Sequence, residues 1–177
     1  MSYESLIAAL TVSVAITGGS AVASSPAELN DLEIAHVAYV ADNIDIRYAH
    51  LALAISSSPA VQEFARTMIR DHEAVNGQAL ALLEKLGAAP QDNFLSQKLA
   101  ADAEMIITEM SALRGEAFDT RYAANELAYH QAVNELVEHS FLPNVENPQV
   151  KTLFTAGLQI FKAHEGHAEN MVAEVGE

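Results

Sequence analysis

From about residue 30 to the C-terminus, apolar residues recur every three or four positions and strict alternation is absent, which confines the chain to helices. Local breakers divide the pattern. A first helix begins near Asn30 or Asp31 and stops at Ser56-Ser57-Ser58. Ser58-Pro59 supplies a cap followed by Pro at the first helical position, opening a second helix that Gly87 is placed to close, with Pro90 beyond. A third segment starts around Asp92, is interrupted at Gly115, resumes near Glu116 and fades around Phe141-Leu142-Pro143. Asn147-Pro148 repeats the cap signal and opens the last helix. Four long helices joined by short loops pack most simply as an all-α, up-down-up-down four-helix bundle. Residues 92–114 form either the first half of a kinked third helix or a separate crossing helix. The chain of 177 residues suits one such domain, over residues 24–177.

The first 23 residues are of another kind. Leu6 to Ala23 is apolar and small, ends in Ala21-Val22-Ala23 and precedes Ser24-Ser25-Pro26, the pattern of a secretory signal peptide. Its leading residues lack Lys and Arg and include Glu4. An uncleaved apolar helix that anchors the chain in a membrane or packs copies into an assembly therefore competes with the signal, as does a shifted start site. Export places the protein in the periplasm or cell envelope.

Composition removes several classes of function. With no cysteine, disulfides, thiolate zinc sites and thiol nucleophiles are excluded. Nine Lys and Arg against 24 Asp and Glu give a net charge of −15 and no basic stretch, which argues against nucleic acid and anionic membrane surfaces as partners. Neither a Gly-rich phosphate loop nor a Gly-x-Ser-x-Gly elbow is present. Homo-oligomerisation and a small-molecule partner stay open.

The chemistry lies in what interrupts the apolar stripes. On the first helix Ile34, Val37, Ala41, Ile44, Tyr48 and Ala52 share a face that includes Asp45, while His36 and His50 fall opposite. The second helix carries His72 in the row of Phe64, Met68 and Val75, with Asp71 at its edge. On the last helix His164 stands in the row Leu153, Gly157, Ile160, Met171, with His167 on its flank. The segment after Gly115 is the most loaded, because Asp119, Tyr122, Glu126 and His130 share one face. Burying such groups costs several kcal/mol unless they are paired, hydrogen-bonded or metal-bound.

Depth along the bundle supports convergence. Asp45 precedes Ser58 by 13 residues and His72 follows it by 14, so antiparallel packing sets them level. Across the next hairpin Glu126 matches His164, with His130 one turn away. Asp45, His72, Glu126, His130 and His164 are the candidate ligands of a first-row transition metal such as Fe, Mn, Zn or Cu. Asp71, Asp119, Tyr122 and His167 are candidates to support them. The only Glu-x-x-His spacing, Glu33 to His36, lies off the core face, which argues against a standard ferritin-type diiron centre. A metal-free hydrogen-bonded network that fixes helix register, or another ligand, would satisfy the same groups.

Certain runs also resemble a known family. They are Asn43-Ile44-Asp45-Ile46 with Ala52, Ser57-Ser58-Pro59, and Phe64-Ala65 followed by Met68-Ile69-x-Asp71-His72. Further along come Leu113-x-Gly115-x-x-Phe118-Asp119-x-x-Tyr122 with His130, then Asn147-Pro148 with His164 and Ala168. Over roughly residues 31–175 they are similar to the bacterial domain-of-unknown-function family 4142. The resemblance implies a ferritin-like helical bundle in an exported, periplasmic or envelope-associated protein, and no established activity. Asp45 stands where that family commonly has Glu, which shortens the carboxylate's reach by one methylene. Three classes of function follow: a metal-binding or redox bundle, a metal-free structural or stress-associated envelope protein, and an assembly subunit packed through its N-terminal helix.

Overall fold

Asn30 opens the first helix, its side-chain carbonyl accepting from the Leu32 and Glu33 amides while the Glu33 carboxylate takes the Asn30 amide. This helix, α1, spans Asp31–Ile55 in a computed structural model that describes residues 25–176. The expected signal peptide at residues 1–23 lies outside the described residues. Helix α2 runs Pro59–Lys85 and ends as expected at Gly87, whose φ of +64° lets the Ala88 amide turn back onto the Leu83 carbonyl. Helix α3 spans Phe94–Ser111 behind an Asn93 cap, α4 spans Glu116–Leu136 and passes into a π-type turn over Val137–Phe141, and α5 spans Pro148–Val175 behind the Asn147 cap. Every long element among the described residues is helical, and none is long and apolar enough to cross a membrane.

The third segment is therefore two helices, giving five in place of four. Gly115 takes φ +57° and ψ −143°, a backbone no helix contains and one reserved in practice for glycine, so the segment breaks there. Hydrogen bonds fix the directions. The Gln91 amide reaches the Leu32 carbonyl, Asn93 donates to the Glu33 carbonyl, and Glu104 pairs with Arg47, so α3 lies beside α1 and runs the same way. Arg121 returns to Glu109 and the Tyr129 hydroxyl donates to the Ala41 carbonyl, which sets α4 antiparallel to both. The Asp31 carboxylate accepts the Glu146 and Asn147 amides, and α5 starts beside the beginning of α1. Direction thus reverses at every connection. Around the interior, α1 and α5 point one way and α2 and α4 the other, so these four run up-down-down-up in place of the expected up-down-up-down, because α3 returns the chain between α2 and α4.

The apolar core falls into two blocks. One gathers Ile44, Tyr48, Phe64, Met68, Met110, Phe118, Tyr122 and Met171; the other gathers Ile34, Val37, Val137, Phe141, Phe154 and Leu158. His72, Glu126, His130 and His164 lie where one block gives way to the other, and Asp45 lies at the near end of the first block. One expected core residue does not belong: Ile160 is 36% exposed. Because α5 packs against both α2 and α4, its buried row is rotated onto Phe154, Leu158 and Phe161.

Candidate metal centre

The five candidate ligands meet. Asp45, His72, Glu126, His130 and His164 are between 0% and 4% exposed. One ring nitrogen from each of His72, His130 and His164 lies within 4.8 Å of the others, and Asp45, Glu126 and His130 form a second trio of the same tightness that shares His130. Asp45 Oδ2 joins the two, at 2.9 Å from His72 Nε2 and 3.2 Å from His130 Nε2. The imidazoles also touch as rings, with centroids 5.2 to 5.9 Å apart.

How each ring is held decides what it can do. His72 Nδ1 donates to Asp42 Oδ1 at 2.7 Å, His130 Nδ1 to the Glu126 carbonyl at 2.9 Å, and His164 Nε2 to Asp71 Oδ2 at 3.0 Å. These bonds fix ring orientation and leave one nitrogen free on each: His72 Nε2, His130 Nε2 and His164 Nδ1, all buried without an aligned hydrogen-bond partner. Both oxygens of Asp45 and of Glu126 are equally unpartnered. Asp45 Oδ2 is close to two imidazole nitrogens yet aligned with neither, so proximity here is not hydrogen bonding. Imidazoles with one nitrogen tied to a carboxylate or carbonyl and the other directed at a shared point are arranged as metal ligands are.

Burial and charge pull the protonation states apart. Burial opposes protonation of His72, but Asp45 and Asp42 outweigh it and push that imidazole up to about 10. Burial acts against the Asp45 carboxylate as well, and the adjacent His72 outweighs it, holding Asp45 below the usual carboxylate range. Glu126 is raised well above its ordinary value by burial and then by the Asp45 charge, and Asp42 is raised by burial despite its bond to His72. Burial lowers His130, and lowers His164 to about 4. Without a metal the layer's charge gathers on the His72–Asp45 pair, while burial favours the neutral forms of Glu126, His130 and His164.

The supporting residues divide. Asp71 sits at the expected edge, half-buried, and also takes a two-pronged ion pair from Arg70. Tyr122 is fully buried, stacked on Phe118, with its hydroxyl unpartnered and its pKa raised by burial. Asp119 is half-buried with Oδ1 unpartnered. His167 is a correction: it is exposed and lines a surface cleft between α2 and α5. His50 is exposed as expected, and His36 is partly exposed near Asp92.

Sequence reasoning missed Asp42, which is 4% exposed and orients His72. Its signal was present, one turn before Asp45 and four residues after Ala38. The stripe on α1 was drawn too narrow, because α1 packs against α2, α3 and α4 and is buried over most of its circumference.

Fold and site together define an all-helical protein whose interior holds a layer of imidazoles and carboxylates disposed like metal ligands. The chain matches a family described as "Domain of unknown function (DUF4142)" over residues 17–171, and it belongs to that family. No curated protein and no solved structure matches it.

Proposed function

We propose that this is an exported, ferritin-like bundle protein that binds one first-row transition ion through His72, His130, His164 and Asp45, with Glu126 as a further oxygen donor. The observation that carries this reading is the set of three tethered imidazoles that bring one ring nitrogen each within 4.8 Å of the others. His130 Nε2 and His164 Nδ1 find no donor in the protein, and a buried nitrogen left so costs about 1–3 kcal/mol. Three nitrogens with one or two carboxylates suit Zn, Fe, Mn or Cu. Because His130 spends Nδ1 on a carbonyl, it offers a single nitrogen, which favours one ion over a bridged pair. The sense of α1, α2, α4 and α5, with α3 as the returning crossover, supports the ferritin-like description. A centre this enclosed suits holding or sensing an ion, or redox chemistry on a small oxidant, better than work on a large substrate.

Elemental analysis of protein purified from its own compartment, beside a His72→Ala/His164→Ala double variant, tests the reading. About one equivalent of metal in the parent and less than a tenth of that in the variant is expected from the loss of two ligands. Equal metal content in both overturns it. A metal-free network has one observation in its favour, the His72–Asp45 pair that satisfies both charges unaided. A parent that stays folded and metal-free after challenge with Zn2+, Fe2+, Mn2+ and Cu2+ selects it. Export is checked separately by mass spectrometry of the native chain. A start near Ser24 is expected, and a chain retaining residues 6–23 returns the argument to an anchored or self-assembling protein.

A further inference from the structure

The cleft between the start of α2 and the end of α5 has a volume of about 270 Å3 and lies one helical turn from the Asp71–His164 bond at the edge of the buried layer. Its polar lining includes Glu63, Thr67, His167 and Glu174, with no Lys or Arg. Its wall includes Phe64, whose ring packs edge-on against the His130 ring at 6.2 Å between centroids, so one aromatic thickness separates the cleft from the centre. One turn further along the same two helices, Asp71 follows Thr67 on α2 and His164 precedes His167 on α5, and these two are bonded at 3.0 Å.

The acceptors that hold the three imidazoles are not equivalent. Asp42 and the Glu126 carbonyl lie in the interior, whereas the Asp71 side chain is 26% exposed and shares its oxygens with Arg70, itself 70% exposed. His164 is tied to the most open of the three, since the Asp42 side chain is 6% exposed and faces a mainly apolar cavity. Its other nitrogen, Nδ1, is buried and unpartnered.

We propose that this cleft is the loading port for a divalent first-row cation. Glu63, Glu174 and His167 collect the ion, and its capture by Asp71 breaks the Asp71–His164 bond and frees the imidazole at the solvent edge of the layer to take it in. This inference rests on the metal-centre reading above and adds the route to it. Arg70 restrains loading, since it occupies the carboxylate that must receive the ion and sets a positive charge beside the path. A cleft lined by charge of one sign concentrates counter-ions and speeds their capture, an effect that salt weakens.

Stopped-flow mixing of the metal-free protein with Co2+, followed by the visible absorbance of the bound ion, tests the port. The triple variant Glu63→Gln/Glu174→Gln/His167→Ala is expected to load about tenfold slower than the parent and to reach the same stoichiometry. Glu84→Gln/Glu135→Gln, which removes two carboxylates elsewhere, should stay within about twofold, and Arg70→Gln should load about threefold faster. Equal rates for the triple variant and the control overturn the port alone, as does a lower stoichiometry with an unchanged rate. Failure of Arg70→Gln to accelerate loading removes Asp71 from the route. If the parent takes up no Co2+, the centre itself is refuted and the port with it.

Discussion

Asp45→Ala is expected to abolish metal binding and to destabilise the metal-free protein by about 3–5 kcal/mol at pH 7, the usual cost of removing one partner from a buried ion pair. The direction is not obvious in advance. Asp45 is fully buried, and deleting a desolvated carboxylate relieves a penalty. That relief is outweighed because His72 carries a proton on account of Asp45 first and Asp42 second. With Asp45 gone, the imidazole either keeps a poorly balanced charge in the interior or gives up its proton and loses the pair. The vacated space adds a cavity between His72 and His130. Asp45→Asn keeps the volume, removes the charge and should lose metal equally, with a smaller loss of stability. Urea denaturation with unchanged m-values would measure both. A metal-free Asp45→Ala protein as stable as its parent would mean that the ion pair contributes nothing and that His72 is neutral.

Much of this layer was legible in the sequence because a helix converts spacing into direction. Asp45, His72, Glu126, His130 and His164 each stand in an apolar row, and level positions in antiparallel neighbours follow from residue counts to the turns. The caps were equally local: Asn30, Ser58-Pro59, Gly87 and Asn147-Pro148 act within a few residues of themselves. What local reasoning missed depends on how many neighbours a helix has. α1 touches three others, so Asp42 is buried although it lies outside the stripe as drawn. The outer flank of α5 has no such cover, and His167 reaches the surface cleft. The break at Gly115 was visible, but its consequence was not. A kink and a reversal use the same residue, and only the Arg121–Glu109 pair and the placement of α3 along α1 distinguish them.

Raising the pH from 7 to 10 is expected to weaken the metal-free fold while it strengthens metal binding. His72 in the folded chain titrates near 10, above the ordinary histidine value of 6.5. The stability it contributes is complete below about 6.5 and is lost as pH rises through about 10, because over that window the folded state holds a proton that the unfolded state has released. Glu126, raised by burial, acts in the same sense above the ordinary glutamate value of 4.5. Each group adds a slope of up to about 1.4 kcal/mol per pH unit. On the acid side the signs oppose one another. His164, lowered to about 4, and His130, also lowered by burial, cost stability as pH falls below 6.5, while Glu126 and Asp42 gain it; Asp45, held low by His72, gives up its contribution only below 3.8. The metal-free protein should therefore show a shallow acid limb and a steep alkaline one. Metal reverses the alkaline limb, since ligands must shed protons to bind and the competing protons on His72 and Glu126 become easier to displace as pH rises. Chemical denaturation at pH 6, 7, 8 and 9 with and without saturating Zn2+ should give curves that diverge steadily, the loaded protein holding its stability while the metal-free protein loses it. Parallel curves would mean that binding displaces no proton from these residues, and a flat metal-free curve across the same range would mean that His72 carries no raised pKa and that no His72–Asp45 ion pair holds the layer together.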